Sequence, residues 1–232
     1  MKAMILAAGI GERMRPLTDH TPKPLLAVAG VPLIEHHIRR LAAAGYTELV
    51  INVSHLADQI IDFCGDGRHW GVTIAYALEA QPLETAGGIF NALPLLGDEA
   101  FLVVNGDVWI DYPFGQLAGY SPAAPATAHL VMTDNPGQHP LGDFMLDEQG
   151  LVRERPDGDM GYTYTGVGVY TAAFFARMQP GKMPLRPLLD AAIRSGTLHG
   201  EYYRGQWQDV GTPERLQQLD AAVRGLGNAR VQ

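Results

Sequence analysis

The stretch M-K-A-M-I-L-A-A-G-I-G-E-R-M-R-P-L-T-D-H-T-P-K-P-L, residues 1–25, decides how the rest of the chain is read. Its apolar opening is closed by Gly9 and Gly11, so residues 2–7 read as a buried strand and residues 8–24 as the loop that it feeds. The run superficially looks like a secretion signal, but it is too short and ends in Glu12, Arg13 and Arg15. Small residues at Ala7, Ala8, Gly9 and Gly11 let backbone N–H groups turn toward an anion, the arrangement that cradles phosphate. Glycines alone do not settle the matter. A dinucleotide fingerprint needs a third glycine where Met14 stands, and the spacing of a P-loop is absent. The cations Arg13, Arg15 and Lys23 add to the signal. Lys23 lies between Pro22 and Pro24, whose rings stiffen the backbone that carries its charge.

Working outward, periodicity and turn residues predict a helix over 32–44, a strand over 48–53, a helix over 56–63 and a strand over 72–77. A helix over 85–93 and a strand over 100–104 ending in N-G-D follow. This β-α-β-α-β-α-β order is that of a parallel sheet wound with helices, in which ligands bind beyond the carboxyl ends of the strands. The glycine loop and Asn105 to Asp107 both fall there. Strands over 126–133, 144–147 and 162–170 and helices over 172–178, 185–195 and 213–224 make the second half less regular, so the sheet is expected to become mixed.

The 232 residues, 47% of them hydrophobic, suffice for one α/β domain with a substantial core. A net charge of -8 excludes a nucleic-acid or anionic-membrane surface, which needs a basic footprint. The single cysteine, Cys64, permits no disulfide framework and no zinc spacing, which fits the reducing cytosol. No segment is long enough to span a bilayer. His36 and His37 are adjacent on a helix and point to different sides; Ser54-His55 lacks a nucleophile elbow; Tyr162, Tyr164 and Tyr170 read as core or pocket wall.

The run over 6–25 resembles the signature of the sugar-1-phosphate nucleotidylyltransferases, written G-x-G-T-R-x-x-P-x-T and then P-K-P. The resemblance implies a Rossmann-like three-layer α/β sandwich around a mostly parallel, partly mixed sheet. It implies one domain over 1–232, with a nucleotide-binding half over about 1–110 and a sugar-binding half over about 111–232. Its partners are an NTP and a sugar 1-phosphate, without nucleic acid or membrane, in a monomer or small homo-oligomer. Arg13 corresponds to the arginine that clamps the triphosphate and Lys23 to the lysine that contacts phosphate. Ala8, Gly9, Gly11 and Glu12 form the nucleotide loop, with Glu12 where Thr or Ser is frequent. G-D after the fourth strand and D-x-G-T-P near the end supply Asp107 and Asp209, the two carboxylates that hold Mg²⁺. Asp111 reads as a surface acid.

The segment L-E-A-Q-P-L-E-T-A-G-G, residues 78–88, resembles the family's base-reading loop, with Glu84 in place of a glycine. Gln81 and the backbone around Glu84, Thr85 and Gly87 are then expected to face the base, Thr85 to cap the following helix, and Asn105 to neighbour the ribose or base. Gly142, Glu154, Arg155 and Thr165 fall at the sugar-pocket motifs, Arg155 where a lysine is customary. A silent nucleotide-sugar sensor is disfavoured because the charged set is intact. A metal-dependent glycosyltransferase is disfavoured because the strand ends G-D-V-W and not in D-x-D. Within the family, Glu12, P-L-E-T-A-G-G and the compact length resemble the uridylyltransferases that use UTP, with the mannose-1-phosphate guanylyltransferases second.

Overall fold

The computed structural model describes residues 1–229; the last three residues of the expected second half lie outside it. The first half runs β1 (Ala3–Leu6), β2 (Ala27–Val28), β3 (Val31–Pro32), α1 (Leu33–Ala43), β4 (Glu48–Val53), α2 (Ala57–Cys64), β5 (Thr73–Leu78), α3 (Glu84–Leu96), β6 (Phe101–Asn105) and β7 (Val108–Ile110). The second runs β8 (Ala128–Thr133), β9 (Phe144–Leu146), β10 (Val152–Glu154), β11 (Thr163–Tyr170), α4 (Arg186–Arg194), β12 (Leu198–Tyr202), β13 (Trp207–Asp209) and α5 (Pro213–Ala229).

The central sheet has the order β12-β8-β11-β6-β1-β4-β5. Side chains alternate across it. On β1, Ala3 and Ile5 join the core under α1 and α2, while Met4 joins the core under α3 and α4. On β4, Leu49 and Ile51 go to the first core and Val50 to the second. Both faces are therefore covered by helices, which is why these strands are apolar runs and not alternating ones. That makes three layers.

β5, β4, β1 and β6 are mutually parallel. β11 runs antiparallel to β6 and to β8, and β12 is parallel to β8. The chain moves from β1 out to β4 and β5, then returns to β6 on the other side of β1. The crevice beyond β1 and β6 is thus a topological switch point.

Three features differ from the sequence reading. The helix expected over 172–178 is only the 3-10 turn Ala172–Phe175, because the segment is pinned by Phe175 stacking on Phe101 and not by a helical stripe. β12 has no apolar signature because an inward position is Gly200, where an added Cβ would lie 3.0 Å from Val152 and 3.1 Å from the Leu130 carbonyl. The β7–β13 pair is too short for periodicity to reveal, yet it sets Asp209 opposite Val108. No helix among the described residues is long and apolar enough to cross a membrane.

Candidate active site

The floor of the switch-point crevice is built from buried hydrogen bonds. The Ala7 N–H donates to Asn52 Oδ1 at 2.8 Å, and Asn52 Nδ2 donates to Glu79 Oε1 at 2.7 Å. Glu79 Oε2 accepts the Leu83 N–H at 2.9 Å. The ends of β1, β4 and β5 are thereby tied to the start of α3. Only glycine fits above this network, since a Cβ on Gly88 would meet Glu79 Oε1 at 2.7 Å and Asn52 Nδ2 at 2.8 Å.

Above the floor, Gly11 takes a φ of 73°, which turns the loop back so that the Thr18 hydroxyl donates to its carbonyl at 2.8 Å. The following short turn, Glu12–Met14, buries Met14 and leaves Arg13 exposed over the crevice. No carboxylate lies within ion-pair distance of Arg13 among the described residues. Lys23 is buried and its ammonium donates to Asp107 Oδ2 at 2.7 Å. The Asp107 carbonyl accepts the Val210 N–H at 2.8 Å, so the two halves of the chain meet here. Asp209 accepts from Arg215 at 2.5 and 2.6 Å and from Gln138 at 2.8 Å.

The glycine loop, Arg13, Lys23 and Asp107 line a cavity of about 570 Å³, whereas Asp209 and Arg215 stand outside its lining. Ala8, Gly9, Gly11, Glu12, Arg13, Lys23, Glu84, Thr85, Asn105 and Asp107 all border it, as the sequence reading requires of them. A second cavity, about 410 Å³, shares the wall Glu84, Thr85 and Asn105 and extends to Asp143, Phe144, Tyr164 and Arg186. Asn105 stands at the junction because Gly166, at a φ of 81° in the β11 bulge, lets its amide approach to 2.6 Å of where a Cβ would be.

Other expected residues take different places. Gln81 is exposed and outside the cavity lining; Glu79 and Pro82 line it instead. Gly87 is buried against a strap over residues 181–183, where a Cβ would meet the Gly181 carbonyl at 2.4 Å. Thr85 does not cap α3: the N-cap position is Leu83, whose N–H is taken by Glu79, and Glu84 follows at a φ of 60°. Gly142 shapes a turn, at a φ of 71°, next to Asp143. Glu154 is exposed beside Arg194, at 3.7 Å. Arg155 donates to the carbonyls of Gly142, Pro156 and Asp159 at 3.2, 2.9 and 3.0 Å, which turns its fork to the loop. The Thr165 hydroxyl is fully buried and donates to the Val131 carbonyl at 2.7 Å, satisfying the bulge.

Asn52, Glu79, Asp143, Lys182 and Arg215 were not singled out as site residues by sequence. Asp143 had a signal in Leu141-Gly142-Asp143; it lines the second cavity, with Oδ2 fixed by the Tyr164 N–H at 2.9 Å. Nearby, His37 is buried and bonded to the Val108 carbonyl at 2.8 Å, next to Asp107; burial pulls its pKa down to about 4. It is neutral support for β7, not a proton carrier at neutral pH. Burial pushes the Cys64 thiol up to about 12, which leaves it inert.

The Nucleotidyl transferase family model matches residues 2–224. The chain belongs to that family. This nucleotidyltransferase is 50% identical to the N-acetylmuramate alpha-1-phosphate uridylyltransferase of Neisseria meningitidis, over 95% of this chain and 97% of that one. Identity to the Caulobacter vibrioides protein of the same name is 34%, over 91% and 92% of the two chains. The mannose-1-phosphate guanyltransferase of Schizosaccharomyces pombe is more distant, at 29%, and this chain spans 62% of its length. A Bacillus anthracis structure assigned as a glucose-1-phosphate thymidylyltransferase superposes with a TM-score of 0.84 at 23% identity, over 97% and 95% of the chains, which speaks to the fold. The expected fold and enzyme class therefore hold.

Proposed function

We propose that this nucleotidyltransferase transfers UMP from UTP to N-acetylmuramate α-1-phosphate in the cytoplasm, releasing pyrophosphate and giving the UDP-sugar used in peptidoglycan recycling. The observation that carries the reaction is the Lys23–Asp107 pair at the crevice where two cavities adjoin. Likeness to the meningococcal uridylyltransferase supports the choice of substrates. Apart from Lys182 and Gly211, the first cavity is lined from within residues 1–110, in keeping with a nucleotide half. The second draws most of its wall from residues beyond 140, in keeping with a sugar half of the same domain.

A phosphate oxygen of the sugar 1-phosphate attacks the α-phosphorus of UTP in line with the departing pyrophosphate. The attacking group is already an anion, so no side chain need act as nucleophile or base. The obstacle is to hold two polyanions together and neutralise them. Backbone N–H groups of Ala8 to Gly11 face the triphosphate, Arg13 takes the leaving pyrophosphate with its unpaired guanidinium, and Lys23 neutralises oxygens beside Asp107.

The donor set fits Mg²⁺. Asp209 stands opposite Val108 and the Val210 N–H bonds to the Asp107 carbonyl, so the two acids sit on neighbouring segments and would offer hard oxygen ligands. No cluster of three potential metal-binding side chains forms among the described residues. Mg²⁺ commonly keeps waters and substrate phosphates as its remaining ligands, so two carboxylates suffice. When bound, the ion lends positive charge to the reacting phosphate oxygens. Arg215 and Gln138 hold the Asp209 carboxylate, which would have to give up one of these bonds to serve as a ligand.

The test is a matrix of UTP, GTP, CTP and ATP against the 1-phosphates of N-acetylmuramate, N-acetylglucosamine, glucose and mannose, read by pyrophosphate release. UTP with the N-acetylmuramate substrate is expected to lead. Preference for GTP with mannose 1-phosphate would overturn the assignment in favour of the more distant relatives' activity.

A further inference from the structure

Two cavities that share a wall must hold the two substrates so that the sugar's phosphate lies at the seam, within reach of the nucleotide's α-phosphorus. The shared wall is Glu84, Thr85 and Asn105, and its only charge is the Glu84 carboxylate. Left alone, that carboxylate repels an incoming dianion. The cations of the second half are mostly committed elsewhere. Arg155 spends its fork on three loop carbonyls, and Arg186 is held by Asp190 at 2.7 Å and lies 4.7 Å over the Phe144 ring.

Lys182 is the exception. It lines the nucleotide cavity, reaches Glu84 at 3.3 Å, and has a side chain 64% exposed. Its backbone is fixed even though its ammonium is not. The Gly87 N–H donates to the Met183 carbonyl at 3.0 Å, and the Met183 N–H to the Leu83 carbonyl at 2.9 Å. These bonds lash the strap to the start of α3. An ion pair this exposed contributes little, whereas a lysine bonded to a phosphate dianion in a narrowed cleft gains a charge-assisted bond. The exchange therefore favours the phosphate. Glu84 keeps a side chain at a φ of 60°, where glycine is favoured, and strain of this kind persists where the residue has a task.

We propose that Lys182 binds the phosphate of the incoming sugar 1-phosphate, and that Glu84 holds it in place while the cleft is empty. The inference rests on the transferase reading but not on which sugar is used, so it is tested with the best pair from the substrate matrix. A matrix with no active pair would defeat that reading itself, whatever Lys182 does.

The experiment measures KM separately for the sugar 1-phosphate and for the nucleotide in Lys182→Met, Lys182→Arg and Glu84→Gln, with melting temperatures recorded alongside. Lys182→Met is expected to raise the sugar-phosphate KM by about tenfold, the loss of one charge-assisted bond, with a much smaller change for the nucleotide. Lys182→Arg is expected to restore most of it. Glu84→Gln breaks the same ion pair yet leaves the lysine, and so is expected to lower the sugar-phosphate KM. A rise in Glu84→Gln equal to that in Lys182→Met would show that the pair is only a latch for the strap, and would overturn the proposal. So would an unchanged sugar-phosphate KM in Lys182→Met, or equal rises for both substrates.

Discussion

Replacing Asn52 by alanine tests whether the buried network under the crevice supports both its walls. Asn52 is 3% exposed and Glu79 6%, so partners left behind are shielded from water. The substitution removes the bond from the Ala7 N–H, worth about 1 kcal/mol, and the bond to the Glu79 carboxylate, worth about 2 kcal/mol because one partner is charged. The sum, about 3 kcal/mol, corresponds to a fall in Tm of roughly 6–12 °C for a chain of this size. Function should suffer as well. Ala7 leads into the glycine loop proposed to hold the triphosphate and Glu79 fixes Leu83 at the start of α3, so kcat/KM for the nucleotide should fall more than that for the sugar phosphate. Thermal unfolding followed by circular dichroism, with steady-state kinetics on the same preparation, measures both. A Tm within about 2 °C of the parent, less than about 1 kcal/mol, would refute the view that this network holds the floor together.

Asp209→Asn is expected to reduce kcat by at least about tenfold, with partial recovery at high Mg²⁺, and chelation of divalent ions by EDTA should stop turnover in the parent protein; metal titrations of both proteins check this, and EDTA-resistant turnover speaks against the metal role. His37 gives a pH dependence of stability. Its folded pKa is about 4 against an ordinary 6.5, so the unfolded chain binds the extra proton between those values. The contribution is full above pH 6.5 and is lost as pH falls toward 4, by up to about 3 kcal/mol. Unfolding of His37→Gln and the parent between pH 4.5 and 7.5 should show a steeper loss in the parent, and parallel curves would contradict the assignment.

Much of the crevice was legible because its chemistry is contiguous in sequence. Gly11, Arg13 and Lys23 lie within one loop, and Asp107 comes two residues after a strand whose apolar run is hard to misread. β1, β4 and β6 were legible for the same reason, since burial on both faces writes an apolar run. The second half was harder to read. β12 hides behind Gly200, and the β7–β13 pair is three residues long on each side.

Arg155 and Thr165 show where residue type misleads. Each has the right chemistry for a sugar pocket, but carbonyls of the loop around it claim the first and the β11 bulge claims the second. The Val131 carbonyl is shielded from water and must be satisfied, so the Thr165 hydroxyl is taken for that purpose before it can serve a ligand.

The sequence by itself determined the wound parallel sheet, the glycine loop and the reaction class, because periodicity and short motifs are local. Only the tertiary structure decided that Asn52 and Glu79 underlie the loop, that Asp209 lies beside Asp107, and that Lys182 reaches Glu84. Those pairings join segments 27 to 102 residues apart. Which distant side chains meet depends on strand order and packing, and no local pattern encodes either.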